Sequence, residues 1–377
     1  MYPKYGNSRR ARALARIPAS SWLARCTCAG VTRLESCARS GDTAGRQHSG
    51  EPPGVRPMNA THPGDCLVRP AHPGDAAAIS LVHRSDVIAW KGWDAHGQPI
   101  WSEYERLTAF ERWMNGGPWM DEALCRRHLA HMQSPSRVAL VAELEGAVRA
   151  EAEAYFGDEP PPFGRHLNVT VLYTRRGLTG LGLGSALMLS LMERARERGC
   201  ETLSVSNASA PDFYSRFGLA CWRRCRALTV HANLRNILYD RDPCELAPAP
   251  LPAGWGMALG GIGSAAQMWD RLDPDERPSH EARSAGTLLA ADLALRSGRE
   301  RARVVVEDKP FAAGAVTASV WTPDGRLSPR LWAALGDCAA RLDRSQIHTW
   351  ADDERRADAP AHARWGDEVR EVWGLRL

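Results

Sequence analysis

The sequence predicts a mixed α/β sandwich followed by a second, smaller α/β domain. Two observations carry that prediction. Between residues 66 and 231, strand-like and helix-like runs alternate: strand, helices, three strands, a glycine-rich loop opening a helix, strand, helix, strand. Such an order packs helices against a sheet. From 255 to 377 a shorter strand-hairpin-helix-strand order echoes the second half of that pattern.

The elements are predicted in chain order. Cys66 to Arg69 reads as a short strand, and Asp75, closing the turn 70–75, is placed to cap a helix. A polar-apolar pattern over 103–132 predicts one or two more helices. The run 138–144 is an apolar strand, Glu145-Gly146 the turn of a hairpin, and 147–156 its return. A third strand covers 167–172. On the helix 183–198, Leu183, Leu187, Leu191 and Ala195 recur every four residues and form one buried stripe, with Gly199 as stop. Strand 201–206, a short helix 211–217 and strand 221–230 close the unit.

Four segments are expected. Residues 1–57 hold nine arginines and one lysine against three acids, a net +7, so the remaining chain carries −3 of the total +4. Three readings of this leader stand side by side: a disordered tail, a transit-like segment, or sequence upstream of a true start at Met58. Residues 58–241 form the first domain, the Pro-dense 242–254 a semi-rigid linker, and 255–377 the C-terminal domain.

Without the leader's charge, no basic surface for nucleic acid is expected. No apolar run approaches the roughly 20 residues that span a bilayer. Ten scattered cysteines without a secretory signal predict thiols in a cytoplasmic protein, and neither Cys26-x-Cys28 nor Cys221-x3-Cys225 has the second ligand pair of a zinc site, so no metal is expected.

Thr179-Gly-Leu-Gly-Leu-Gly184 lies between a strand and a helix. A helix start offers unpaired N–H groups and the positive end of the dipole to phosphate, and glycines let the backbone come close. The string is not the dinucleotide-binding G-x-G-x-x-G, and Asn207 stands where that fold wants an acid. The loop resembles the Q/R-x-x-G-x-G/A motif of the GNAT N-acetyltransferase superfamily: Gly182 and Gly184 match the small positions, and Ser185-Ala-Leu-Met the helix opening. Thr179 departs from the family's Gln or Arg. About 30 residues on, 212–219 resembles the family's F-Y-x-R-x-G-F segment, with Leu219 for Phe.

The resemblance covers about 66–231 and implies a mostly antiparallel sheet flanked by helices. It implies acetyl-CoA as co-substrate, held by Leu172, Tyr173, Thr174, Thr179, Gly180, Leu181, Gly182, Leu183, Gly184, Ser185, Asn207 and Phe213. Leu172 to Thr174 are expected to face the thioester where two strands part through a bulge. Tyr214 is implied as general acid; the competing reading is a packed aromatic. Glu151, Glu153 and Tyr155 alternate onto one strand face, and Glu153 is the candidate general base, against the reading of a solvated face. Five tryptophans at 90, 93, 101, 113 and 119 are an aromatic wall for the acceptor or ordinary packing. The second domain is expected to be a degenerate GNAT-like repeat. The expected activity is acetyl transfer to a small-molecule or peptide amine by a monomer or homodimer, the alternative being a non-catalytic acyl-CoA-binding module.

Overall fold

The computed structural model describes residues 66–94, 97–235, 237–245, 251–272, 288–310 and 312–377. The leader 1–57 and the heart of the Pro-dense stretch, 246–250, lie outside the described residues. In chain order the elements are β1 (Leu67–Pro70), α1 (Ala76–Arg84), β2 (Trp90–Trp93), β3 (Pro99–Ser102), α2 (Ala109–Met114), α3 (Glu122–His131), β4 (Arg137–Leu144), β5 (Ala147–Glu159), β6 (Gly164–Thr174), α4 (Leu183–Glu197), β7 (Thr202–Ser206), α5 (Pro211–Ser215), β8 (Ala220–His231). The second half continues with β9 (Tyr239–Pro243), β10 (Gly256–Leu259), α6 (Ala265–Asp270), β11 (Leu288–Leu295), β12 (Arg301–Asp308), β13 (Ala315–Thr322), α7 (Pro329–Ala340), β14 (Gln346–Asp352) and β15 (Arg364–Arg376).

All strands but β2 and β3 join one thirteen-stranded sheet, ordered β1-β4-β5-β6-β7-β15-β8-β14-β13-β12-β11-β9, with β10 beside β13. The pairings are antiparallel except β6 with β7 and β13 with β14. The two halves exchange their last strands at the centre. β15, the end of the chain, lies between β7 and β8 of the first half, and β8 pairs with β14 of the second. β15, within the stretch 255–377 expected as a separate domain, therefore completes the first half's sheet. Asp242 and Pro243, expected in a linker, are paired in β9 against β11.

Two faces of the first half's sheet are covered differently. On one, Leu183, Leu187, Leu191 and Ala195 of α4, each at most 1% exposed, pack on Ala150, Ala152, Ala154 and Leu172. Full burial of each leucine contributes about 2 kcal/mol. On the other face, α1 and α3 pack over Val141, Val171 and Tyr173. α1 begins at Ala76, but Asp75 does not cap it as expected, because its carboxylate accepts from Arg69 and the His72 N–H instead. α3 begins where Asp121 accepts from the N–H groups of Ala123 and Leu124. β2 and β3 form a hairpin of their own, unanticipated because it spans four residues a side.

Candidate active site

β6 and β7 run parallel and pair from His166–Thr202 to Val169–Val205. β7 ends at Ser206, and β6 continues to Thr174 beside β5 alone. Between Glu153–Val171 and Ala154–Val169 the register shifts, leaving Thr170 as an extra residue. Such a bulge bends its strand, and here it sits where β6 turns away from β7. The parting thus begins at Thr170, two residues before the expected Leu172. Leu172 and Tyr173 are buried and Thr174 half-buried along the diverging edge.

The glycine loop stands beyond this edge. Gly180 (φ 89°) and Gly182 (φ 84°) adopt left-handed backbone that favours glycine. Gly182 is the N-cap of α4 and has no side chain to close the helix start, so the first N–H groups, at Leu183, Gly184 and Ser185, lack capping from that residue. Thr179, Gly180, Leu181 and Gly182 are exposed, and a Cβ on Gly180 would meet nothing within 4 Å, so the approach is open. A fifteen-residue helix opening this way attracts a diphosphate, and this cradle fits the coenzyme the motif implies.

Phe213 closes the loop's inner side: a Cβ on Gly184 would lie 3.6 Å from Phe213 Cζ and 3.7 Å from Thr174 Oγ1. The ends of β6, α4 and α5 thus converge. Tyr214 is 1% exposed, edge-on to Phe213 at 5.1 Å, within the α4-side core. Asn207 follows β7 in left-handed backbone (φ 52°) and is half-buried.

Glu153 lies on the other face. Glu151, Glu153 and Tyr155 do share one strand face, yet it is not solvated: their exposures are 1%, 2% and 5%. Glu153 Oε1 accepts a hydrogen bond from Trp119 Nε1 at 2.9 Å and lies 2.9 Å from His128 Nε2. Beside this pair His83 Nε2 lies 3.0 Å from Glu151 Oε1, both side chains at most 1% exposed. The His83 ring stacks between Trp119 (5.1 Å) and Tyr173 (4.4 Å), and Tyr173 donates to Asp86 at 2.6 Å. Burial pushes the Glu151 carboxyl up against the pull of His83. Burial acts on Glu153 too, but His128 and the Trp119 indole outweigh it and hold that carboxyl below its ordinary range. Two adjacent carboxylates pushed apart in this way suit distinct protonation states.

His83 and His128 were not singled out from the sequence. The signal was present: each occupies a core position of its helix, beside Ile79 and Val82 and beside Leu124 and Leu129. Of the five tryptophans, only Trp119 enters this cluster; Trp101 is 73% exposed.

The second half repeats the parting and closes it. The β13–β14 ladder ends at Thr317–His348. β10 then pairs with Val320 to Thr322, and Gly260 N–H donates to Trp350 O at 3.0 Å. α7 starts with Pro329, which lacks an N–H, and Ser328 Oγ caps Leu331 N–H. Cleft and helix start are both satisfied within the chain.

A parallel strand pair that parts beside a glycine-opened helix is the arrangement of the GNAT fold. Residues 100–219 match the family model described as the acetyltransferase (GNAT) family, and the fold around them is the GNAT fold. No curated protein matches it. Solved structures with the same fold include a GCN5-related N-acetyltransferase from Anabaena variabilis ATCC 29413, with 8% identity and a TM-score of 0.53, covering 82% of this chain and 72% of that one. One from Kribbella flavida has 12% identity and a TM-score of 0.50, covering 83% and 72%. A conserved protein of unknown function from Enterococcus faecalis V583, a probable N-acyltransferase, has 12% identity and a TM-score of 0.50, also covering 83% and 72%. Coverage of that extent exceeds the first half alone, so the likeness in fold reaches into the second. Among the described residues, no helix is long and apolar enough to cross a membrane.

Proposed function

We propose that the first half transfers an acetyl group from acetyl-CoA to the amine of a small molecule or peptide, in the cytoplasm. One observation carries this reading: β6 leaves β7 after Val169, beside an α4 N-terminus that glycines leave open. In the reading, α4 holds the diphosphate and the diverging edge of β6 lines the thioester. The amine nitrogen attacks the thioester carbon directly, forming the C–N bond and a tetrahedral oxyanion, whose collapse breaks the C–S bond and releases the thiolate. N–H groups of Leu172 to Thr174 steady the oxyanion, an effect of about 3 kcal/mol per donor. The proton lost by the amine passes to Glu153, with His128 as its partner, and Tyr214 returns a proton to the departing thiolate. Tyr214 and Glu153 sit on opposite faces of the sheet, which supports donor and acceptor entering from opposite sides. The second half plugs its own cleft and acts as a cofactor-free repeat.

The near-complete burial of Glu153 and Tyr214 favours a second reading, a non-catalytic acyl-CoA-binding module. Thiol release from acetyl-CoA across a panel of amines separates the two. Transfer that tracks the amine supports the enzyme; coenzyme binding with no transfer to any amine supports the module.

A further inference from the structure

The proposed transfer leaves one buried acid–base pair unused. His83 and Glu151 lie beside His128 and Glu153, and all four side chains are at most 7% exposed. Trp119 touches both imidazoles, stacked with His83 at 5.1 Å and T-shaped against His128 at 5.3 Å. Across the β5–β6 ladder Glu153 stands opposite Val171, where the parting begins, and Glu151 opposite Tyr173, on the diverging edge. A buried ion pair can often be replaced by apolar side chains with no loss of stability. Packing alone gives the fold no need for a second one.

The two carboxyls differ in what governs them. Glu153 receives the Trp119 indole at 2.9 Å and lies 2.9 Å from His128. Burial works against its charge, yet these partners prevail and hold it below its ordinary range. At Glu151 burial prevails over His83 and pushes the carboxyl up. Each imidazole also acts on the carboxylate of the other pair, so the four groups form one cluster. A proton placed on Glu153 therefore runs downhill to Glu151. The other titratable neighbours do not compete for it. Cys125 of α3 feels both carboxylates, and burial pushes its thiol up, so it stays protonated at neutral pH. Tyr173 of β6 stacks on His83 at 4.4 Å and donates to half-buried Asp86 at 2.6 Å, which brings the cluster's outer end to the end of α1.

We propose that His83 and Glu151 are a proton-storing pair of the transfer site, taking from Glu153 the proton that the attacking amine gives up. This rests on the transferase reading and adds a step to it. The amine's N–H bond breaks and its proton goes to Glu153. Glu153 passes the proton to Glu151, which shares it with His83 Nε2, and Glu153 is ionised again beside His128. The pair releases the proton to water once the amide product has left, which restores the starting state. Both residues are positioning residues: they act through Glu153 and touch no substrate.

The test uses the full chain, acetyl-CoA and an amine that thiol release identifies as an acceptor. H83Q and E151Q keep size and hydrogen bonding and abolish titration at their positions. In both, kcat is expected to fall by on the order of a hundredfold, with KM for either substrate and coenzyme A affinity unchanged. The unaltered protein loses kcat on acidification as the pair fills with protons. In the variants that acid limb moves to lower pH by about one unit or more, because Glu153, held low, is the acceptor that remains. Melting temperature and coenzyme A calorimetry certify the fold, and E151Q alone decides if H83Q does not fold. Unchanged kcat in a folded variant overturns the inference. So does a lowered kcat with the acid limb in its original place, which marks a structural role. Either result leaves the transferase reading standing where Glu153→Gln is inactive. Binding of acetyl-CoA by the unaltered protein with no transfer to any amine overturns that reading, and the inference with it.

Discussion

The Glu153 carboxylate and the His128 imidazole meet at 2.9 Å with both side chains buried, and the Trp119 indole binds the same oxygen. A buried pair of this kind is destabilised by about 3–5 kcal/mol when one partner is removed. Glu153→Gln keeps shape and most hydrogen bonds while losing the proton acceptor. The expected outcome is a fall in kcat of on the order of 10²- to 10⁴-fold with unchanged coenzyme affinity, measured by thiol release and calorimetry. Unimpaired turnover removes Glu153 from the chemistry.

Tyr214 stands on the opposite face, 1% exposed against Phe213. Tyr214→Phe retains the ring and its packing and deletes one hydroxyl. Turnover is expected to drop by at least about a hundredfold, with melting temperature nearly unchanged. A variant that keeps wild-type kcat returns Tyr214 to the role of a packed aromatic.

Gly182 holds a left-handed backbone at the N-cap of α4. Gly182→Val adds both backbone strain and a branched side chain where the diphosphate is expected. Coenzyme A affinity should weaken by on the order of a hundredfold in calorimetry, whereas Gly146→Val, strained at a turn far from α4 in sequence, should lose stability and keep affinity.

His348 titrates in reach of ordinary buffers. Burial, reinforced by Lys309, pulls it from 6.5 to about 4. Between those values the unfolded chain binds a proton that the folded chain refuses, so stability present at neutral pH is lost as pH falls from 6.5 toward 4. Allowing for partial exposure, the loss is on the order of 2 kcal/mol. Urea titrations at pH 7 and pH 4.5 should show it, and His348→Gln should flatten the difference.

β15 tests whether the halves are separable. Truncation after residue 363 removes the strand between β7 and β8, exposing ladder edges on both. The shortened chain is expected to lose the cooperative unfolding transition of the full chain in circular dichroism. A truncated protein that still melts cooperatively and binds coenzyme A would show that the sheet does not depend on β15.

Local rules made much of this protein legible in its residues alone. The four-residue stripe of α4, the alternation along β5, the Glu145-Gly146 turn and the glycine opening at 179–184 are set by period and backbone freedom within a few residues. They carried the fold of the first half and the coenzyme cradle. Tertiary structure decided what depends on partners distant in sequence. Whether Glu153 faces water or His128 is a matter of which helix lies over β5. β15 crosses into the first half because a strand's preferred neighbour is chosen by hydrogen-bond edges and buried faces, and its own sequence reads the same in either half. Periodicity records which face of an element is buried; only the assembled sheet determines what it is buried against.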